Sequence, residues 1–236
     1  MRMSRTLSAS LLALALAACT TNTPLSSTST DAPRSLAGAV SAADPRAQAA
    51  GEEMLARGGS ATDAAIAVML ALGVVEPQSS GIGGGGFMVR GTADGSVGTF
   101  DGRETAPASA TPDWFLDENG QLPPFIESVR SGLSVGVPGN IALAAKAHAA
   151  YGKLPWASLF EPAIKLASQG FEMNPRLNGM LESARNRSAH SAQARSIFFD
   201  AEGQPLPVGT VVKNEQLAQT LETIARGGRA AFYSGD

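Results

Sequence analysis

The sequence predicts an α+β chain, rich in helix and poor in strand. Three observations carry this: helix start and stop signals recur along most of the 236 residues, one hairpin signal stands between residues 87 and 101, and no internal repeat is apparent. A chain of this kind lays helices over part of a sheet, and the sheet it can supply is incomplete.

The elements follow in order. Asp44-Pro45 reads as an N-cap followed by proline in the first turn, and Gly58-Gly59 closes that helix, giving about 45 to 57. Ser60 and Asp63 have capping-box spacing, and the run from Ala64 to Leu72 is apolar on every face, so this second helix must be buried on most sides until Val74-Val75-Glu76-Pro77 ends it. Gly81 to Gly86 leads into Phe87-Met88-Val89-Arg90, a turn at Ala93-Asp94-Gly95-Ser96, and a returning strand from Val97 to Asp101. Ser134 to Asn140 reads as a short strand and turn before a helix over about 141 to 151. Leu159 to Gly170 is helical with Phe160, Ala163, Ile164 and Ala167 on one stripe, and Asn174-Pro175 opens a helix to about 186. Residues 198 to 213 are irregular. Glu215 to Arg226 is an amphipathic helix showing Leu217, Leu221 and Ile224, and Phe232-Tyr233 is expected to pack back on the fold.

Composition excludes several classes of function. At 44% hydrophobic the chain is not a disordered one, and a formal charge of -3 with 6% aromatic residues does not suit a protein that neutralises nucleic-acid phosphates. One cysteine rules out a disulfide framework, and two histidines, His148 and His190, supply too few ligands for a metal centre, so no metal or other cofactor is expected. Arg2, Arg5, the apolar run Leu11 to Ala18 and then Cys19 read as a signal peptide over residues 1–18. As a helix that run reaches only about 12 Å, short of a hydrocarbon core of about 30 Å. Leu16-Ala17-Ala18-Cys19 resembles the lipobox of bacterial lipoproteins, which makes Cys19 a lipidation site. Residues 19–37 are a Ser/Thr/Pro-rich tether and 38–236 the folded part. The expected location is the cell envelope, periplasmic or held at the membrane through lipidated Cys19.

Two motifs match by letter and fail in context. Gly81-x-Gly83-x-x-Gly86 copies the dinucleotide fingerprint, but a helix precedes it and a strand follows, the reverse of what pyrophosphate binding needs. The glycines instead let a ligand or another chain segment approach the backbone. Gly132-Leu133-Ser134-Val135-Gly136 copies a nucleophile elbow, yet Gly136 and Pro138 forbid the helix that must start at the serine. His148 and His190 read as solvated surface residues. In Asp101-Gly102-Arg103-Glu104 the hairpin brings Arg103 out beside the glycine loop. Arg103 is then either a fork for a carboxylate or one member of a surface ion-pair cluster with Asp101 and Glu104.

The residues now form a recognisable series. Ala43-Asp44-Pro45, Gly58 to Ala65, Pro77-Gln78, Gly83 to Met88, Asp101 to Pro107, Gly136-Val137-Pro138-Gly139, Tyr151-Gly152 and Phe232-Tyr233 together resemble the γ-glutamyltransferases, or glutathione hydrolases. The resemblance runs in register from about Gly38 to Asp236, and cephalosporin acylases of the same superfamily share much of it.

The resemblance implies an N-terminal-nucleophile hydrolase with an αββα sandwich, present here in part. In such enzymes a precursor cuts itself into large and small subunits, and the exposed threonine attacks a γ-glutamyl amide, passing the acyl group to water or to an amino acid or peptide acceptor. Arg103 matches the arginine that contacts the substrate α-carboxylate, with Glu104, Gly84 and Gly85 as site neighbours. Gly102 stands where many members carry a bulky aromatic. Nothing matches the threonine, so the chain reads as the N-terminal portion of a large subunit, expected to be inactive alone. The partners implied are glutathione or another γ-glutamyl compound and the small subunit of the same precursor, with no nucleic acid. Glutaryl-cephalosporin acylase and a non-catalytic γ-glutamyl-binding lipoprotein are the alternative readings.

Overall fold

Asp44 opens the first helix in the computed structural model, which describes residues 38–234; the segments read as signal peptide and tether, with Cys19, lie outside the described residues. Helix α1 (Pro45–Ala56) starts where Asp44 accepts from the Arg46 amide at 2.9 Å. The Arg46 guanidinium returns to the same carboxylate and donates to the Glu172 carbonyl at 2.8 Å, while Asn174 adds a bond to Asp44 at 3.2 Å. Asp44 is therefore buried because it has partners, and it ties the first helix to a segment 130 residues away. Helix α2 (Ala61–Val75) has the capping box its sequence specifies. Ile66, Ala67, Leu70, Ala71 and Val75 on it are almost fully buried, and it packs against α1 and two later helices as the centre of the core.

Strands β1 (Gly86–Gly91) and β2 (Val97–Gly102) form the expected antiparallel hairpin, in register from Gly86 opposite Gly102 to Gly91 opposite Val97. The turn residue Gly95 has φ +85, a conformation glycine adopts without steric cost. One hairpin face carries Met88 against the core and sets Phe100 and Arg90 on the Tyr151 ring, while Phe87, Val89 and Val97 on the other face are exposed. A one-turn helix α3 (Phe125–Arg130), unforeseen from the sequence, lies in the connection to α4 (Asn140–Tyr151). The strand expected over Ser134 to Asn140 is reduced to a single bridge between Val137 and Thr105, after a 3-10 turn at Gly132–Ser134. Pro138 has no N–H with which to extend a ladder.

Helix α5 (Glu161–Gln169) starts later than expected because a 3-10 turn at Trp156–Leu159 precedes it; Phe160, Ala163 and Ala167 are buried as the stripe predicts, with Ile164 half-buried against the core. Strand β3 (Phe171–Glu172) pairs with the later β4 (Val211–Val212), a two-residue ladder that the sequence reading missed. The helix expected to reach 186 divides at Ala184 into α6 (Pro175–Ser183) and α7 (Arg185–Ser188), since Ala184 leaves helical geometry at φ -109, ψ 20. Helix α8 (Ala192–Phe198), also unforeseen, is capped by Ser191. Helix α9 (Glu215–Gly227) buries Leu221 and Ile224, and α10 (Ala230–Tyr233) brings Tyr233 back onto α4. The described residues are thus helix-rich α+β with two small sheets. Among them, no helix is long and apolar enough to cross a membrane.

His148 corrects a sequence expectation. It is not a solvated surface residue: its Nε2–H donates to the Leu154 carbonyl at 2.8 Å, its ring meets Trp156 edge to face, and Asp63 Oδ1 lies 3.8 Å away. His190 is exposed, as expected.

Two buried carboxylates link this core to pH. For Asp44, burial would raise the pKa, but the hydrogen bonds and charge of Arg46 outweigh it and hold the group below its ordinary 3.8. For Asp63, burial is outweighed by hydrogen bonds from Ser60, Lys153 and Leu154, again lowering the value below 3.8. Both favour the ionised form in the folded state, so their contribution is complete above the unfolded pKa and is lost as pH falls through the lower folded one. Urea midpoints are expected to be flat above about pH 5 and to fall below about pH 4. A midpoint that rises on acidification contradicts this.

Candidate functional site

Helix α4 begins without a capping side chain, because Gly139 occupies the N-cap. Its first N–H groups still need acceptors. The Gly84 carbonyl accepts from Gly139 N at 2.9 Å and Asn140 N at 3.1 Å, and the Tyr233 hydroxyl accepts from Ala142 N at 3.2 Å while donating to the Pro138 carbonyl at 2.7 Å. Asn140 Nδ2 donates to the Gly81 carbonyl at 2.7 Å. The glycine loop therefore lies on the start of α4, held there by its own carbonyls.

This contact answers the question the glycine run raised. The approach is chain to chain: a Cβ on Gly85 or on Gly139 would overlap the Gly102 carbonyl oxygen, and a Cβ on Gly102 would sit 2.6 Å from Leu143 Cβ. Two glycines, Gly85 and Gly139, thus close on the carbonyl of a third, Gly102. With α2 before the loop and β1 after it, the dinucleotide fingerprint fails here as the order of elements predicts. The other decoy fails too, since Ser134 Oγ donates to the carbonyls of Ser131 at 2.9 Å and Val129 at 3.2 Å.

Arg103 and Glu104 emerge directly from this three-glycine contact. The Glu104 carboxylate lies over the loop, with Oε2 2.7 Å from the position of a Cβ on Gly85 and Oε1 3.5 Å from one on Gly84. Arg103 turns outward and is 67% exposed, and its guanidinium meets Glu104 Oε2 at 2.9 Å as an ion pair without a directed hydrogen bond. Asp101 takes the Arg103 amide at 2.8 Å rather than its guanidinium. So the four residues Arg103, Glu104, Gly84 and Gly85 come together, with Glu104, not Arg103, touching the glycines. Of the surface ion-pair cluster expected from the sequence, the Glu104 partner is present and the Asp101 one is not, and the guanidinium is otherwise exposed.

A cleft of about 490 Å³ opens beside Arg103, walled by Pro107, Pro112, Trp114, Phe115, Leu133 and Val135. Trp114 Nε1 donates to the Leu133 carbonyl at 2.9 Å, which fixes that wall. The sequence reading missed this cleft, although Trp114-Phe115 in a Pro-rich stretch was its one visible sign. A cavity of about 520 Å³ near Gln193 and Lys213 is slightly larger but lies away from Arg103 and is lined by residues of the α8 and α9 segments. Volume does not choose between them; of the two, the smaller is the one that Arg103 borders. Among the described residues, no group of histidine, cysteine and carboxylate side chains is arranged to hold a metal ion.

Comparison with known proteins agrees with the motif series. The profile described as Gamma-glutamyltranspeptidase matches residues 47–236. Glutathione hydrolase 3 of Arabidopsis thaliana is 43% identical over 201 residues, covering 84% of this chain and 30% of that protein. The glutathione hydrolase proenzyme of Bacillus subtilis (strain 168) is 41% identical over 201 residues, covering 84% of this chain and 34% of that protein. The crystal structure of Helicobacter pylori γ-glutamyltranspeptidase superposes with a TM-score of 0.79 at 36% identity, covering 85% of this chain and 57% of that one. The chain spans about a third of the length of the curated relatives it matches. With the profile match running through nearly all of the folded part, and its fold shared with a solved member, the chain belongs to the γ-glutamyltranspeptidase family.

Proposed function

We propose that this chain supplies the carboxylate-binding corner of an enzyme that removes γ-glutamyl groups from glutathione or related amides. The observation that carries the reading is the exposed Arg103 guanidinium, held at one side by Glu104 and following Gly102 at the end of β2, which packs against Gly85 and Gly139. A guanidinium fork binds both oxygens of one carboxylate, and Glu104 leaves the corner with room for a single anion by neutralising part of its charge. In this reading the α-carboxylate of the γ-glutamyl group sits on Arg103, which fixes where the γ-amide points.

The nucleophile is a threonine contributed by a small subunit of the same precursor. Its Oγ attacks the γ-carbonyl carbon, its proton passes to the α-amino group at the new N-terminus, and the amine leaves with a proton as the acyl-enzyme forms. Water or an acceptor amine then breaks the ester. Residues 1–18 act as the export signal, and lipidation of Cys19 holds the enzyme at the cell envelope.

Calorimetric titration of the 236-residue chain with L-glutamate or glutathione tests the corner. Arg103→Ala is expected to weaken binding about 100-fold, and Arg103→Lys about 10-fold, because lysine keeps the charge but not the fork. Equal affinity in wild type and Arg103→Ala, or no binding by wild type, sinks the reading.

A further inference from the structure

We infer that Asn140 is a positioning residue for the Arg103 corner; the inference rests on the reading of that corner as a carboxylate site. Asn140 is the first residue of α4 and is 7% exposed. Its side-chain amide donates to the Gly81 carbonyl at 2.7 Å, and its backbone N–H donates to the Gly84 carbonyl at 3.1 Å. One residue thus holds the glycine loop at two points. Its Oδ1 also lies 3.2 Å from the position of a Cβ on Gly86, so the loop has little freedom to move across it.

The coupling to Arg103 passes through contacts that have no slack. Gly85, just after the second tether, lies against Glu104 so closely that no methyl group fits between them. The Glu104 carboxylate in turn meets the Arg103 guanidinium at 2.9 Å. A loop released at Gly81 removes the surface on which Glu104 rests, and the guanidinium loses the partner that aims it. Asn140 itself does not reach the substrate; it acts on the bound group only through Glu104 and Arg103.

The rival account makes Asn140 an ordinary helix-start residue. Asn140→Asp separates the two. Aspartate keeps the size of the side chain and favours a helix N-terminus by its charge, but it offers an oxygen where the Gly81 carbonyl needs a donor. Asn140→Ala removes the donor without adding charge. Both variants are to be titrated calorimetrically with L-glutamate and with glutathione beside wild type and Arg103→Ala, with thermal midpoints recorded and the aspartate variant repeated at 0.15 M and about 0.5 M salt to screen its charge.

The expected result is an aspartate variant that stays folded with a somewhat lowered midpoint and has its affinity lowered about 10-fold at both salt concentrations, and an alanine variant weakened to a similar degree. An aspartate variant that binds like wild type overturns the inference, as does one whose deficit disappears in high salt, or an alanine variant that binds normally. If Arg103→Ala loses binding while these variants keep it, Asn140 is merely structural and the corner stands. If Arg103→Ala binds like wild type, or wild type binds neither ligand, the corner itself falls and the inference falls with it.

Discussion

Gly139→Ala is expected to destabilise the fold by about 3 kcal/mol or more, the upper part of the range for forcing extra atoms into a packed site. The backbone at this position, φ -113 and ψ -20, is open to any residue, so the cost is steric and not conformational. An added Cβ would collide with the Gly102 carbonyl oxygen and come within 3.1 Å of the Arg103 carbonyl. Both are backbone atoms, and the first is confined on its other side by Gly85. Relief therefore requires β2 and α4 to separate, which exposes Leu143 and disturbs Arg103 at once. For a domain of about 200 residues this corresponds to a fall in thermal midpoint of roughly 6 to 12 °C. Gly98→Ala is the control: it lies on β2, the strand whose end Gly139 meets, no atom stands within 4 Å of its added Cβ, and its midpoint should not fall. Similar midpoints for the two variants would show that the three-glycine contact is not tight.

Asp63→Ala is the second large effect, a loss of about 3 kcal/mol measured by urea unfolding at pH 7. Asp63 Oδ2 accepts from Ser60 N at 2.7 Å, Ser60 Oγ at 2.9 Å, Lys153 N at 2.9 Å and Leu154 N at 3.3 Å. Alanine leaves three backbone N–H groups without this acceptor, each worth about 1 kcal/mol, and removes half of the capping box of α2. Asp63 also lies beside His148, which is itself fixed to the Leu154 carbonyl, so the junction of α2 with the end of α4 loses its common partner. A deficit under about 1 kcal/mol would mean that water replaces the carboxylate at these amides.

What could be read in advance was whatever short-range chemistry fixes. Asp44-Pro45, Ser60 with Asp63, Asn174-Pro175 and the apolar runs specify helix starts by local hydrogen bonds and periodicity, and the structure has helices at those places. The hairpin was legible for the same reason, because Gly95 marks its turn and Gly86 opposite Gly102 follows from counting outward. The misses involve long-range partners. Phe171–Glu172 and Val211–Val212 are too short to show alternation, and their pairing depends on a contact about 40 residues apart. His148 looks like any residue of an alanine-rich helix until Leu154 and Trp156 turn back over it. Counting along the hairpin placed Arg103 beside the glycine loop, but it is Glu104 that lies against Gly85 while Arg103 turns outward: pairing register says which residue follows the strand, whereas the space beneath Gly85 decides which one lies inward.

The capping of α4 has a consequence for how the chain folds. Its end groups are satisfied by Gly84, 56 residues earlier, and by Tyr233, 91 residues later. A helix whose start depends on such distant acceptors cannot seed folding by itself, because two large loops must close before its first turn is secured. The Arg103 corner is assembled on that turn, so it belongs to the late, cooperative stage of folding, and a partly folded chain carries the arginine without the geometry that aims it.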